Sequence, residues 1–142
     1  MLHQLVYVSS STEPISPDEI SRILETSRQN NDRDDVTGLL LYHDQLFFQV
    51  LEGDQVCVQE CFDRIKRDRR HGSTSVVWEY QVERRAFPQW SMGYAKPEDL
   101  SEESRSAAIS LSKLLHKPAD AREDPVIANL VQSVLSDFRG IT

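Results

Sequence analysis

An α+β fold of the ferredoxin-like type is predicted by three observations on this 142-residue chain. Short β-branched and aromatic runs alternate with amphipathic stretches in the order β-α-β-β-α-β-β. A short polar link, His43-Asp44-Gln45, joins two of the runs as a hairpin. Two further helix-periodic stretches close the chain, and the two internal helices can cover only one face of a five-stranded sheet, so the C-terminal helices are expected on the other. In this arrangement the first and third strands are expected side by side and parallel at the sheet centre.

The first strand is read over 3–9, with Leu5, Tyr7 and Ser9 on one face and Val6 and Val8 on the other. Ser16-Pro17-Asp18-Glu19 supplies an N-cap, a proline at the first helical position and a glutamate three after the cap. It opens a helix with Ile20, Ile23 and Leu24 inward, expected to end near Asn30-Asn31. Strands two and three are 38–42 and 46–51, and Gly53 stops the second arm of the hairpin. Residues 54–68 place Val58, Cys61, Phe62 and Ile65 at helical spacing, with Arg64, Lys66 and Arg67 at the negative end of the helix dipole. Strands four and five are read over 74–82 and 90–95. Beyond them, 101–116 and 124–139 read as helices, the second carrying the apolar stripe Ile127, Leu130, Val131, Val134, Leu135 and Phe138. That stripe needs a partner, and Phe48 and Val50 on the sheet's second face could supply it.

Length fits one domain that buries roughly two-thirds of the surface its unfolded chain exposes. Sixteen Lys and Arg against 23 Asp and Glu leave a formal charge of −7, which argues against general affinity for nucleic acid or anionic lipid. No segment approaches the roughly 18 apolar residues of a membrane span, and the amino terminus has no basic or apolar leader pattern, so a cytoplasmic protein is expected. Cys57 and Cys61 stand four apart in a helix and are read as reduced core residues. His3, His43, His71 and His116 have no spacing that suggests a metal site.

The most informative residue is Gln49, a carboxamide inside the otherwise apolar run Phe47-Phe48-Gln49-Val50-Leu51. A buried amide must find hydrogen-bond partners, and rotating it by about 180° exchanges donor for acceptor without changing its shape. Taken singly, Gln49 could cap a sheet edge, Tyr7 could be a core residue with a satisfied hydroxyl, and Asn31 could be a helix C-cap. Together, Tyr7 and Gln49 on neighbouring strands and Asn31 at the end of the first helix outline a polar pocket between the helices. A flat, hydrogen-bond-rich heterocycle would fit there, with Ile20, Ile23 and Leu24 against its apolar faces.

The chain resembles the BLUF family, flavin-binding sensors of blue light. The resemblance rests on Leu5-Val6-Tyr7-Val8-Ser9, Asn30-Asn31-Asp32-Arg33, the run from Val36 to Tyr42, the run from Phe47 to Gly53, Arg67-Asp68-Arg69-Arg70-His71 and the run from Arg85 to Met92, and it covers 3–95. It implies a flavin-binding domain over 1–97, with 98–142 a helical extension packed on the sheet, as in short single-domain members. It also implies a noncovalent flavin, FAD with FMN as the alternative, held by Tyr7, Ile23, Asn30, Asn31, Gln49, Arg64, Asp68 and His71. Some relatives place histidine where this chain has Asn30. By the family mechanism Tyr7 gives an electron and a proton to the photoexcited flavin, Gln49 rotates or tautomerises, and a red-shifted state results. Trp90 and Met92 are then carriers of signal output to an unidentified downstream protein or to self-association, and a homo-oligomer is expected.

Two other classes compete at this level. A flavin-dependent oxidoreductase would need a placed base or nucleophile and a nicotinamide site, and no G-x-G-x-x-G fingerprint is present. A cofactor-free interaction module on the same fold would be colourless, and fold alone does not separate the three.

Overall fold

The computed structural model of the chain describes residues 2–43, 45–68, 71–88 and 91–95, together with Glu102 and Ser106. Its elements follow the expected order: β1 (Leu2–Ser11), α1 (Pro17–Asp34), β2 (Thr37–His43), β3 (Leu46–Gly53), α2 (Gln55–Arg67), β4 (His71–Val82) and β5 (Gly93–Ala95). They form one sheet in the order β4-β1-β3-β2-β5.

β1 and β3 are adjacent as expected, but they run antiparallel rather than parallel. The chain path explains the difference. α1 returns the chain so that β2 runs in the same sense as β1, and the hairpin then reverses it, so β3 enters between them in the opposite sense. The parallel pair of the sheet is instead β2 with β5.

Capping residues set the helices. Ser16 accepts from the Glu19 N–H at 3.2 Å, with Pro17 opening the first turn. α1 runs past the expected end at Asn31 to Asp34, and Asp35 takes the left-handed capping conformation at φ 54°. Asp tolerates that region, and its N–H bonds the Asn31 carbonyl, leaving the Asn31 side chain for other partners. Asp54 caps α2 by accepting from Val56 N–H, and Arg64, Lys66 and Arg67 occupy its last turn.

Ile20 and Leu24 of α1 and Val58, Cys61 and Phe62 of α2 join Leu5, Tyr7, Leu40, Phe47 and Leu51 of the sheet in a single core. Both helices therefore cover the same sheet face. The opposite face is also shielded from water: Val6, Val8, Leu39, Leu41, Phe48 and Val50 are each at most 5% exposed. The C-terminal helices expected to cover that face lie outside the described residues, except Glu102 and Ser106, which are helical and exposed.

β5 is shorter than the expected 90–95. Ser91 and Met92 form a bend before it, because their carbonyls are taken by side chains of α1 instead of a strand partner. Beneath that bend Gly38 has no room for a side chain, since a Cβ there would sit 1.9 Å from the Val50 carbonyl oxygen.

Candidate functional site

Tyr7 and Gln49 are direct cross-strand partners on β1 and β3, so their side chains project together from the helix-covered face. Tyr7 Oη donates to Gln49 Oε1, and both residues are buried, at 1% and 5% exposure. The Gln49 amide is satisfied at both ends, because Nε2 donates to the Met92 Sδ at 3.3 Å. Tyr7 Oη, the Gln49 amide and the Met92 sulfur thus form one chain from β1 through β3 to the bend before β5.

Asn31 faces the same region from α1. It is buried, its Nδ2 donates to the Ser91 carbonyl at 2.7 Å, and its Oδ1 lies 3.7 Å from the Cys61 Sγ, which donates to it. Arg28, one helical turn earlier, donates from Nε to the Met92 carbonyl at 2.9 Å. Two α1 side chains therefore hold the backbone of the bend that carries Met92.

Between α1 and α2 lies a cleft of about 550 Å³. Its inner end is formed by Tyr7, Gln49 and Asn31, and Ile23, Leu40, Phe47 and Ile65 supply apolar walls. Arg22, Glu25, Asn30, Arg64 and Asp68 give it a polar lining as well. Ile20 and Leu24, expected on the walls, are instead in the core with Leu40 and Phe47. Arg64 is paired with Asp34 at 3.5 Å, which ties α2 to the end of α1. Asp68 caps α2, its N–H bonding the Ile65 carbonyl at 3.0 Å. His71 begins β4 opposite Ser11, while its side chain, like Trp90 as a whole, lies outside what is described.

Burial pushes the Tyr7 hydroxyl well above the ordinary phenol value of 10.0, with further upward pushes from Cys61 and Asp68. Cys61 is likewise raised, first by burial. Tyr7 thus holds its proton, directed at Gln49. Because the folded value exceeds the unfolded one, the native state binds the proton more tightly, and stability must fall as pH rises through the unfolded value of about 10. Below that pH the contribution is constant. Chemical denaturation of the chain beside Tyr7→Phe should show a constant difference at neutral pH that shifts in favour of the phenylalanine variant above about pH 10. A difference unchanged across that range would mean that Tyr7 is not held protonated.

The cleft suits a planar heterocycle on the chemistry of its donors. Its volume falls in the range of small-molecule sites, its walls are apolar, and its inner end presents amide groups that can each donate and accept. Those are the requirements of a flavin ring, whose edge alternates carbonyl oxygens, ring nitrogens and an imide N–H.

Sequence reasoning placed Tyr7, Ile23, Asn30, Asn31, Gln49, Arg64 and Asp68 at this site, and all seven line the cleft. It missed Cys61, Leu40 and Phe47 in the cleft and Arg28 at the bend beside it. Cys61 and Phe47 carried a signal, since both were apolar positions pointing at the helix-covered face. Arg28 carried none, because its partner is a backbone carbonyl 64 residues away.

Comparison with known proteins gives the family and the fold. Residues 2–93 match the family model described as BLUF, sensors of blue-light using FAD. The photoactivated adenylate cyclase subunit beta of Euglena gracilis is 34% identical over 101 residues, covering 70% of this chain and 12% of that protein. The chain thus spans about an eighth of the length of such curated relatives. Among solved structures, the dark state of BlrB, a BLUF protein, is similar with a TM-score of 0.75 at 26% identity, covering 99% of this chain and 97% of that one. The photo-activated state of BlsA is similar with a TM-score of 0.73 at 25% identity, covering 95% of each.

Proposed function

The chain belongs to the BLUF family of blue-light sensors, and from that premise we propose that its photochemistry runs through Tyr7 and Gln49, with FAD as the flavin. The observation that carries this reading is the buried chain from Tyr7 Oη through the Gln49 amide to the Met92 sulfur, whose first two members line the cleft. Asn31, Asn30, Ile23, Arg64 and Asp68, with His71 at the start of β4, are the residues we assign to holding the flavin. FMN is the alternative, because no residue of the cleft reads an adenine by a distinctive motif.

When bound and excited by blue light, the flavin supplies a strong one-electron oxidant. Tyr7 is the donor: a neutral phenol can release an electron and then its proton, and that proton already points at Gln49 Oε1. If Oε1 takes that proton and Nε2 gives one up, Gln49 becomes its imidic-acid tautomer with no net change in charge; rotation instead turns the whole amide about its Cγ–Cδ single bond and exchanges donor for acceptor. A donor then replaces the acceptor at the amide's inner end, and the bond from Nε2 to the Met92 sulfur is exchanged. Apolar walls from Ile23, Leu40 and Ile65 keep water from short-circuiting the transfer.

One rearranged hydrogen bond is worth roughly 0.5–1.5 kcal/mol, so output needs an element near balance between two arrangements. Met92 and the bend before β5 are that element in our reading, and Trp90 is assigned to signal output with them. The apolar second face of the sheet, which we assign to cover by the C-terminal extension over 98–142, passes the change to a downstream protein or to a subunit interface in a homo-oligomer. The chain acts as a sensor in the cytoplasm and not as an enzyme; among the described residues no helix is long and apolar enough to cross a membrane.

An absorption spectrum of the purified holoprotein before and after blue illumination tests the reading. A flavin spectrum that shifts to the red and recovers in darkness is expected. A flavin that only bleaches would show redox chemistry in place of switching.

A further inference from the structure

Residues 85–92 lead from the end of β4 to the bend that carries Met92, and the chain is gripped at both ends of this stretch. At the far end Arg28 holds the Met92 carbonyl, Asn31 holds the Ser91 carbonyl, and Gln49 reaches the Met92 sulfur. At the near end the grip comes from Glu52, three residues beyond Gln49 on β3 and on the sheet face away from the helices. Glu52 is 0% exposed. Its Oε1 accepts from the Phe87 N–H at 2.8 Å, and its Oε2 accepts from the Ala86 N–H at 2.7 Å and from Gln4 Nε2 at 2.9 Å. Gln4 is fixed in turn by Trp78, whose Nε1 donates to Gln4 Oε1 at 2.8 Å. Arg85 completes the grip, donating from Nη1 to Thr37 Oγ1 at 2.9 Å and from Nη2 to the Asp35 carbonyl at 2.8 Å.

A buried carboxylate served by three uncharged N–H donors is a costly way to tie down a loop, because apolar packing gives comparable stability without desolvating a charge. What the carboxylate adds is direction: two backbone N–H groups and one amide fix the loop in a single register against β3. Glu52 and Gln49 share that strand, so a loop anchored on Glu52 keeps its distance to Gln49 whatever the helices do. A thioether sulfur is a weak acceptor, and it can hold an amide orientation only if it is itself held in place.

We propose that Glu52 is a positioning residue for the photochemical switch, anchoring Ala86 and Phe87 so that Met92 presents its sulfur to the dark orientation of Gln49. The inference rests on the reading of Gln49 as the switch. It assigns to the second sheet face a part in the photocycle, although that face does not meet the cleft.

Glu52→Gln tests it by turning one acceptor oxygen into a donor that faces an N–H. Hydrogen exchange of the Ala86 and Phe87 amides, measured in the dark, should accelerate by at least about tenfold as the anchor opens. After a blue flash, return to the dark spectrum should slow by about threefold or more, because the dark orientation of Gln49 loses a fixed partner. The same substitution in a Met92→Leu background should change recovery much less, since the effect is carried by the sulfur. Faster exchange with unchanged recovery would make Glu52 a structural tie only and overturn the proposal, as would an equal slowing in both backgrounds. If Glu52→Gln fails to hold flavin, Glu52→Asp keeps the charge but is one methylene too short to reach both N–H groups, and it is read by the same two measurements. A red shift that survives in Gln49→Leu would remove the switch itself and with it this role for Glu52; normal recovery in Glu52→Gln removes the anchor and leaves the switch standing.

Discussion

Tyr7→Phe should keep the flavin bound and abolish the light-induced red shift, with its yield falling by roughly a hundredfold or more, the scale on which a placed proton-transfer group acts. The substitution removes one oxygen and nothing else. The ring stays packed in the core, 5.2 Å from the ring of Phe62, so the cleft keeps its shape. Its cost to stability is the hydrogen bond to Gln49 Oε1, about 1 kcal/mol, with the Gln49 carbonyl left short of a donor. Absorbance at matched flavin occupancy, before and after illumination, is the measurement. A full red shift in this variant would assign the electron to another residue, and the Tyr7 hydroxyl would become a structural bond to Gln49.

The local rules that made this fold legible are strong ones. Ser16 and Pro17 fixed the start of α1 and the polar link at 43–45 marked the hairpin, and both signals act within a few residues of themselves. The site was legible for a related reason: an amide at 49 inside an apolar run is an anomaly that demands a partner, and Tyr7 and Asn31 stood at positions whose side chains a sandwich of this kind turns toward it. Strand direction was misread because adjacency and sense are separate properties. Hydrophobic alternation reports which face is buried and is the same whether β1 and β3 run together or opposed. The end of α1 was misplaced because Asn31 has the composition of a cap while its side chain bonds Ser91, far away in sequence. The grips at the two ends of 85–92 were invisible for the same reason. Arg28, Glu52 and Arg85 act on backbone atoms of distant segments, and no periodicity encodes that.

Gln49→Leu separates the two photoactive residues, since it should bind flavin and show no red shift while leaving Tyr7 chemically intact. Leucine nearly fills the volume of glutamine at a site only 5% exposed, so the cleft should not collapse. Both ends of the amide are lost together. Tyr7 Oη loses its acceptor and the Met92 sulfur loses its donor, and the hydroxyl carries most of the penalty, about 1–3 kcal/mol if no other acceptor is found. The extra apolar contact of leucine offsets part of this, so the melting temperature should drop only modestly. The informative comparison is the emission of the bound flavin. Tyr7 can still release an electron in Gln49→Leu, so emission should remain quenched there, whereas in Tyr7→Phe it should rise. If both variants brighten equally, electron release depends on the amide as well as on the phenol, and the two residues act as one unit. If Gln49→Leu retains a red shift of native size, no donor delivered by the amide is needed, and the switch must lie elsewhere among Asn31, Met92 and the backbone of the bend they share.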